Sequence, residues 1–118
     1  MLITRVYADE KGNSCFGEIQ LPLKEAFPMM FLSRAFKVKE IIFREVSANW
    51  HIDWHCAPRK QFILYLSGGT VEITVSNGDK KLFTPGSILL VEDTKGHGHI
   101  SRVIDQKPVQ SVTVVLEE

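Results

Sequence analysis

The sequence predicts an all-β domain with little helix. Short apolar runs of strand length recur along the chain, one of them alternates cleanly between apolar and polar residues, and Gly, Pro, Asn and Asp punctuate the gaps. Helical periodicity is nowhere sustained over three turns. At 118 residues the chain is expected to form one domain spanning residues 1–118, large enough to bury a modest core. No internal repeat or low-complexity linker interrupts it.

Residues 2–7 and 15–21 are expected as strands, separated by the turn-prone Asp9-Glu10-Lys11-Gly12-Asn13. A helical turn is expected at residues 23–26, confined by Pro22 and Pro28. Residues 36–46 follow as a strand containing Ile41-Ile42-Phe43. The strongly apolar residues 61–66 turn at Gly68-Gly69 into residues 70–76, where Val71, Ile73 and Val75 alternate with Thr70, Glu72 and Thr74. That alternation marks a strand with one wet face. Asn77-Gly78-Asp79 predicts a hairpin of type I′, and residues 81–84 run back to Pro85-Gly86. Residues 88–91 read as a short buried strand, 92–98 as a polar loop, and 99–104 and 109–116 as the last strands. A sandwich or barrel follows, since pairing or closing the sheets removes exposed edges.

Hydrophobic residues make up 44% and charged residues 24%, which are ordinary soluble values. The 14 Lys and Arg balance the 14 Asp and Glu and are spread along the chain, so neither a nucleic-acid stripe nor a polybasic membrane patch is expected. Small molecules or proteins are the expected partners. Cys15 and Cys56 are too few for a disulfide framework and are expected as free thiols. Beside His55, Cys56 would face the opposite side of a strand, which disfavours a nucleophile and base pair. MLITRVYADEKG lacks the zones of a signal peptide and no apolar run reaches membrane-spanning length, so a cytoplasmic protein is expected.

The densest cluster of chemistry is WHIDWH, residues 50–55. In a straight strand His51, Asp53 and His55 share one face and Trp50, Ile52 and Trp54 the other. Residues two apart are nearly 7 Å apart, so Asp53 with His55 is a better local pair for one ion than His51 with His55. The two tryptophans read as packing at a barrel mouth or an interface. Arg59 and Lys60 next to Gln61 could hold an anion at a mouth, or be solvated beside Pro58. Glu92-Asp93 reads as a second acidic patch at the same rim or as a solvated loop. Trp54, Arg59, Tyr65 and Glu92 are the candidate residues of a substrate pocket or its rim.

The second half resembles a cupin. One cupin motif places two histidines one residue apart, then three or four residues, a glutamate, six further residues and a glycine. Counted back from Gly68, the glutamate position falls on Gln61 and the histidine positions on His55 and Ala57. PGSILLVEDTKGHGH resembles the other motif and supplies His97, at the usual spacing, or His99 after a two-residue extension. His99 is preferred because it begins the strand HISRV. The motif-bearing core covers about residues 41–116, and DWHCAPRKQF and VEDTKGHGH resemble short bacterial single-domain cupins of unassigned function.

The resemblance implies a cupin-type jelly-roll β-barrel, a homodimer, and a site for Fe, Mn, Ni, Cu or Zn built from three histidines and a carboxylate. Here the set shrinks to His55 and His99, with Gln61, His97 and Asp53 as additional candidates, so the metal site is expected to be incomplete or degenerate. The first functional expectation is a small-molecule-binding protein. The alternatives are a metal-dependent oxygenase or isomerase acting on a small organic acid or aromatic substrate, and a regulatory or structural partner-binding module.

Overall fold

The computed structural model describes residues 1–117, all of them strand, turn or irregular, with no helix. Twelve strands follow in order: β1 (Leu2–Ala8), β2 (Ser14–Gln20), β3 (Lys24–Phe27), β4 (Met30–Leu32), β5 (Val38–Val46), β6 (His51–His55), β7 (Gln61–Gly68), β8 (Val71–Val75), β9 (Lys80–Phe83), β10 (Ile88–Val91), β11 (His99–Val103) and β12 (Val109–Leu116). The all-β class is therefore as expected. Because the chain lacks helices, no helix is long and apolar enough to cross a membrane among the described residues.

The strands form a six-stranded sheet ordered β2-β1-β10-β7-β12-β5, a four-stranded sheet ordered β6-β11-β8-β9, and the separate hairpin β3-β4. Pairing is antiparallel except between β1 and β10, where Thr4 to Val6 run alongside Leu89 to Val91. The two large sheets remain distinct hydrogen-bonded units rather than one closed cylinder. They pack face to face: Val6, Ile63, Tyr65, Leu89 and Val91 of one meet Val71, Ile73, Val75, Phe83 and Val103 of the other in a single buried cluster. The alternation of residues 71–75 is the cause, since Val71, Ile73 and Val75 are buried while Glu72 and Thr74 are only half so.

Two local expectations are corrected. Residues 23–26 form no helical turn; the segment is the strand β3, paired with β4 across a tip at Pro28-Met29. The β8-β9 turn is not type I′, because only Gly78 has positive φ, at 103°. The Gly78 amide donates to the Val75 carbonyl and the Val75 amide to that of Asp79, so the turn closes with a glycine bulge. The extra residue fits the right-handed twist of the hairpin as well as a two-residue turn would.

A second apolar cluster lies on the opposite face of the six-stranded sheet. There Ile3, Phe62, Leu90 and Leu116 are covered by Leu21 and Phe36 from the segments flanking the β3-β4 hairpin. Phe36 meets Phe62 edge-on with ring centres 5.3 Å apart. The cover stops short of β5, where Ile41 and Phe43 stay exposed.

Candidate functional site

Between the two sheets lies a cavity of about 350 Å³, inside the size range of small-molecule sites. Its walls are apolar, and its polar lining is confined to His55, His99, Gln61, Tyr65, Arg44, Ser101 and Ser111. His55 of β6 and His99 of β11 stand opposite each other in the ladder, with imidazole centres 4.4 Å apart. Gln61 and Ala57 line the same cavity, so the four positions matched to the cupin motifs converge on it.

His55 reaches the cavity through an irregularity in β6. His99 pairs with His55 and Ser101 with Ile52, so three steps along β6 match two along β11. The extra residue reverses the alternation. Ile52 and His55 consequently both line the cavity with Trp50, while His51 and Asp53 are exposed. This corrects the straight-strand expectation, which set His55 beside His51 and Asp53 and opposite the tryptophans. Gly98 permits the close approach of β11's leading end: its φ is +74°, and a Cβ there would lie 2.2 Å from the His55 carbonyl oxygen.

Both imidazoles are fixed through Nδ1. In His55 this nitrogen donates to the Asp53 carbonyl at 2.8 Å, the only role open opposite a carbonyl oxygen. In His99 it bonds the Asp93 carboxylate at 2.6 Å. Each Nε2 is thereby left as the ring's remaining polar atom. Burial, followed by the neighbouring His99, holds the His55 pKa below the ordinary imidazole value against the raising effect of the Asp53 carbonyl. Burial also pushes the Tyr65 phenol far up, with Arg44 pulling weakly the other way, so Tyr65 is a protonated donor. The Tyr65 ring stacks on Phe83 with centres 5.6 Å apart.

Asp93 is the residue sequence reasoning missed. The expected acidic rim at Glu92-Asp93 divides: Asp93 is 0% exposed and anchors His99, while its other carboxylate oxygen has no hydrogen-bond partner. Glu92 faces the other way and pairs with Arg5 at 2.7 Å and Lys60 at 3.3 Å. A carboxylate six residues before a histidine carries no spacing signal, so only the fold brings them together. Arg44, Trp50, Ser101 and Ser111 also line the cavity without having been singled out for it.

Of the other sequence candidates, His97 is exposed, its amide donating to Gly12, and His99 is the buried one of the two. Asp53 contributes its carbonyl to His55 and its carboxylate to the Trp54 amide. Trp54 is exposed, and Arg59 pairs with Glu40. Neither residue lines the cavity, and nor does Glu92; Tyr65 does.

As a metal centre the donors are two imidazoles and one neutral amide, with the Ala57 methyl where a further ligand would stand. Among the described residues no group of three or more His, Cys, Asp and Glu side chains is arranged to hold an ion. This donor set does not fit a tightly held divalent metal, which asks for more imidazole or an anionic oxygen. What the arrangement offers is a mainly apolar chamber with the Nε2 atoms of two oriented imidazoles, His55 and His99, at one end. A scan against protein-family models and a search of curated proteins each returned no match to this chain.

Proposed function

We propose that this chain is a small-molecule-binding protein of the cupin type, its two facing sheets a jelly roll and its ligand site the cavity between them. The observation that carries the reading is the His55 and His99 pair, each ring fixed through Nδ1 and standing in a mainly apolar chamber. A core residue could fill that volume, yet the sequence spends buried polar groups there and anchors one of them on a buried carboxylate. The ligand site works without a resident metal. Elemental analysis of protein purified without a metal-affinity tag is expected to find no stoichiometric transition metal; metal that is present and lost in His55→Ala with His99→Ala points to the enzyme alternative instead. Ligand-observed NMR with a library of small neutral fragments tests the cavity itself. Hits lost in Ile73→Trp, which fills the chamber, support it, and hits indifferent to that change or absent altogether overturn it.

A second reading concerns partners: we propose that two copies associate through the outer face of β5 and the β3-β4 hairpin. Every residue of β3 and β4 is exposed, including Phe27, Met30, Phe31 and Leu32, and Ile41 and Phe43 are exposed on the outer face of β5. An isolated two-stranded hairpin is marginal in water, and β5 is a free sheet edge. Met29 at the hairpin tip is 90% exposed and adopts φ of 62°, a conformation glycine would take without strain. A two-fold arrangement buries the same patch on both copies. Sedimentation equilibrium at micromolar concentration is expected to give a dimer, and Phe43→Glu with Met30→Glu a folded monomer. A monomeric wild type overturns this, and would leave the patch to a different protein.

A further inference from the structure

Ser111 on β12 stands opposite Arg44 of β5 in one ladder and opposite Tyr65 of β7 in the other, and all three line the cavity. A guanidinium, a hydroxyl and a phenol therefore form one row across the inner face. Arg5, Arg59 and Arg102 each pair with a glutamate, and Arg34 lies over the Phe36 ring. Arg44 alone has neither a carboxylate nor a hydrogen-bond partner among the described residues, and no acidic residue lines the cavity. A cation half enclosed by apolar walls is costly unless an anion meets it.

Resting on the reading of the cavity as a ligand site, we propose that its ligand is a small, mainly apolar monocarboxylate whose carboxylate is held by Arg44. The guanidinium takes both carboxylate oxygens in its planar fork, and Ser111 and Tyr65 supply flanking hydroxyl donors. One cation without a neighbouring lysine or second arginine suits one negative charge, which disfavours phosphates and dicarboxylates. The apolar body lies against Trp50, Ile63, Ile73 and Leu89. Gln61, at the imidazole end, is four residues from Tyr65 along β7, about 13 Å at strand rise, which accommodates an aryl ring with a short linker. His55 and His99 then face the end of the molecule away from its charge.

The test compares 3-phenylpropionate with its primary amide, nearly the same shape without the charge, by titration calorimetry. The acid is expected to bind at least about tenfold tighter than the amide. Arg44→Gln should remove that preference, while Arg44→Lys, keeping charge without the fork, falls between. Tyr65→Phe, which keeps the stacked ring, should weaken the acid severalfold and gives a second reading if Arg44→Gln unfolds. Equal binding of acid and amide, an unchanged acid affinity in folded Arg44→Gln, or binding of neither probe overturns the proposal. Neutral fragments displaced by Ile73→Trp would in each of those cases still uphold the cavity, so the two readings fail separately.

Discussion

The two faces of the six-stranded sheet, built from alternate residues of the same strands, are opposite in character. The inner face is enclosed yet carries Arg44, Gln61, Tyr65, Ser111 and Thr113, and it leaves a chamber. The outer face is apolar yet open at β5, where Ile41 and Phe43 are 58% and 79% exposed. Folding alone would favour the reverse at both places, because buried polar groups cost free energy and exposed apolar groups gain none. Where a sheet departs from that rule on both sides, the departures are what supports the proposed ligand inside and the proposed second copy outside.

The contrast is sharpest for one substitution on each face, at Leu89 of the central β10 and at Phe43 of the edge strand β5. Leu89→Ala on the inner face removes a side chain with 0% exposure from the main cluster and is expected to lower unfolding free energy by about 4 kcal/mol. Phe43→Ala on the outer face should cost the isolated chain almost nothing, its loss appearing only as weaker association. Urea unfolding at low and high protein concentration separates the two; a concentration-independent loss at Phe43 would break the comparison. Next in size is Asp93→Ala. It leaves the His99 Nδ1 proton without its partner in a buried place and is expected to cost about 3 kcal/mol, with the imidazole pair's NMR signals broadened.

Most of the framework was legible because it rests on short-range signals. The alternation of Val71, Ile73 and Val75, the Gly68-Gly69 and Asn77-Gly78 turns, and the run Ile88 to Val91 each fix a strand or its end from local sequence. The site was legible where a motif matched, at His55, Gln61 and His99, and at Tyr65 on the apolar strand that follows Gln61. His55 shares a face with Trp50 and not with His51, because one extra residue in β6 resets the alternation, and nothing in WHIDWH announces that bulge. Arg44 was hidden by Ile41-Ile42-Phe43, a run with no visible parity, until pairing with β12 assigned its faces. Asp93 needed tertiary contact to be found. At residues 23–26 the local sequence leaves room for a helical turn between Pro22 and Pro28, whereas the cross-strand pairing of Lys24 with Leu32 and Glu25 with Phe31 decides for strand.

A smaller effect separates the cavity from the surface by pH. Burial holds the His55 pKa in the folded chain below its ordinary value of 6.5, so the unfolded chain takes up a proton at higher pH than the folded one does. The stability tied to neutral His55 is therefore fully present above about pH 6.5, and is lost as pH falls from there toward the lowered folded value. Urea midpoints at pH 7 and pH 5 should draw apart less in His55→Asn than in the wild type.

The smallest effect is expected at Arg59, the arginine the sequence places beside the motif. Its guanidinium lies against Glu40 and holds that carboxyl below the usual range, first through the hydrogen bond and then through charge. Both side chains are exposed, so water and salt screen the pair and little stability depends on it. Glu40 is four residues from Arg44 along β5, about 13 Å at strand rise, and being engaged by Arg59 it leaves the inner guanidinium unneutralised. Arg59→Ala is accordingly expected to leave both the unfolding midpoint and the affinity for 3-phenylpropionate unchanged. If instead acid binding falls as far in Arg59→Ala as in Arg44→Gln, the carboxylate is held at the mouth and not in the inner row.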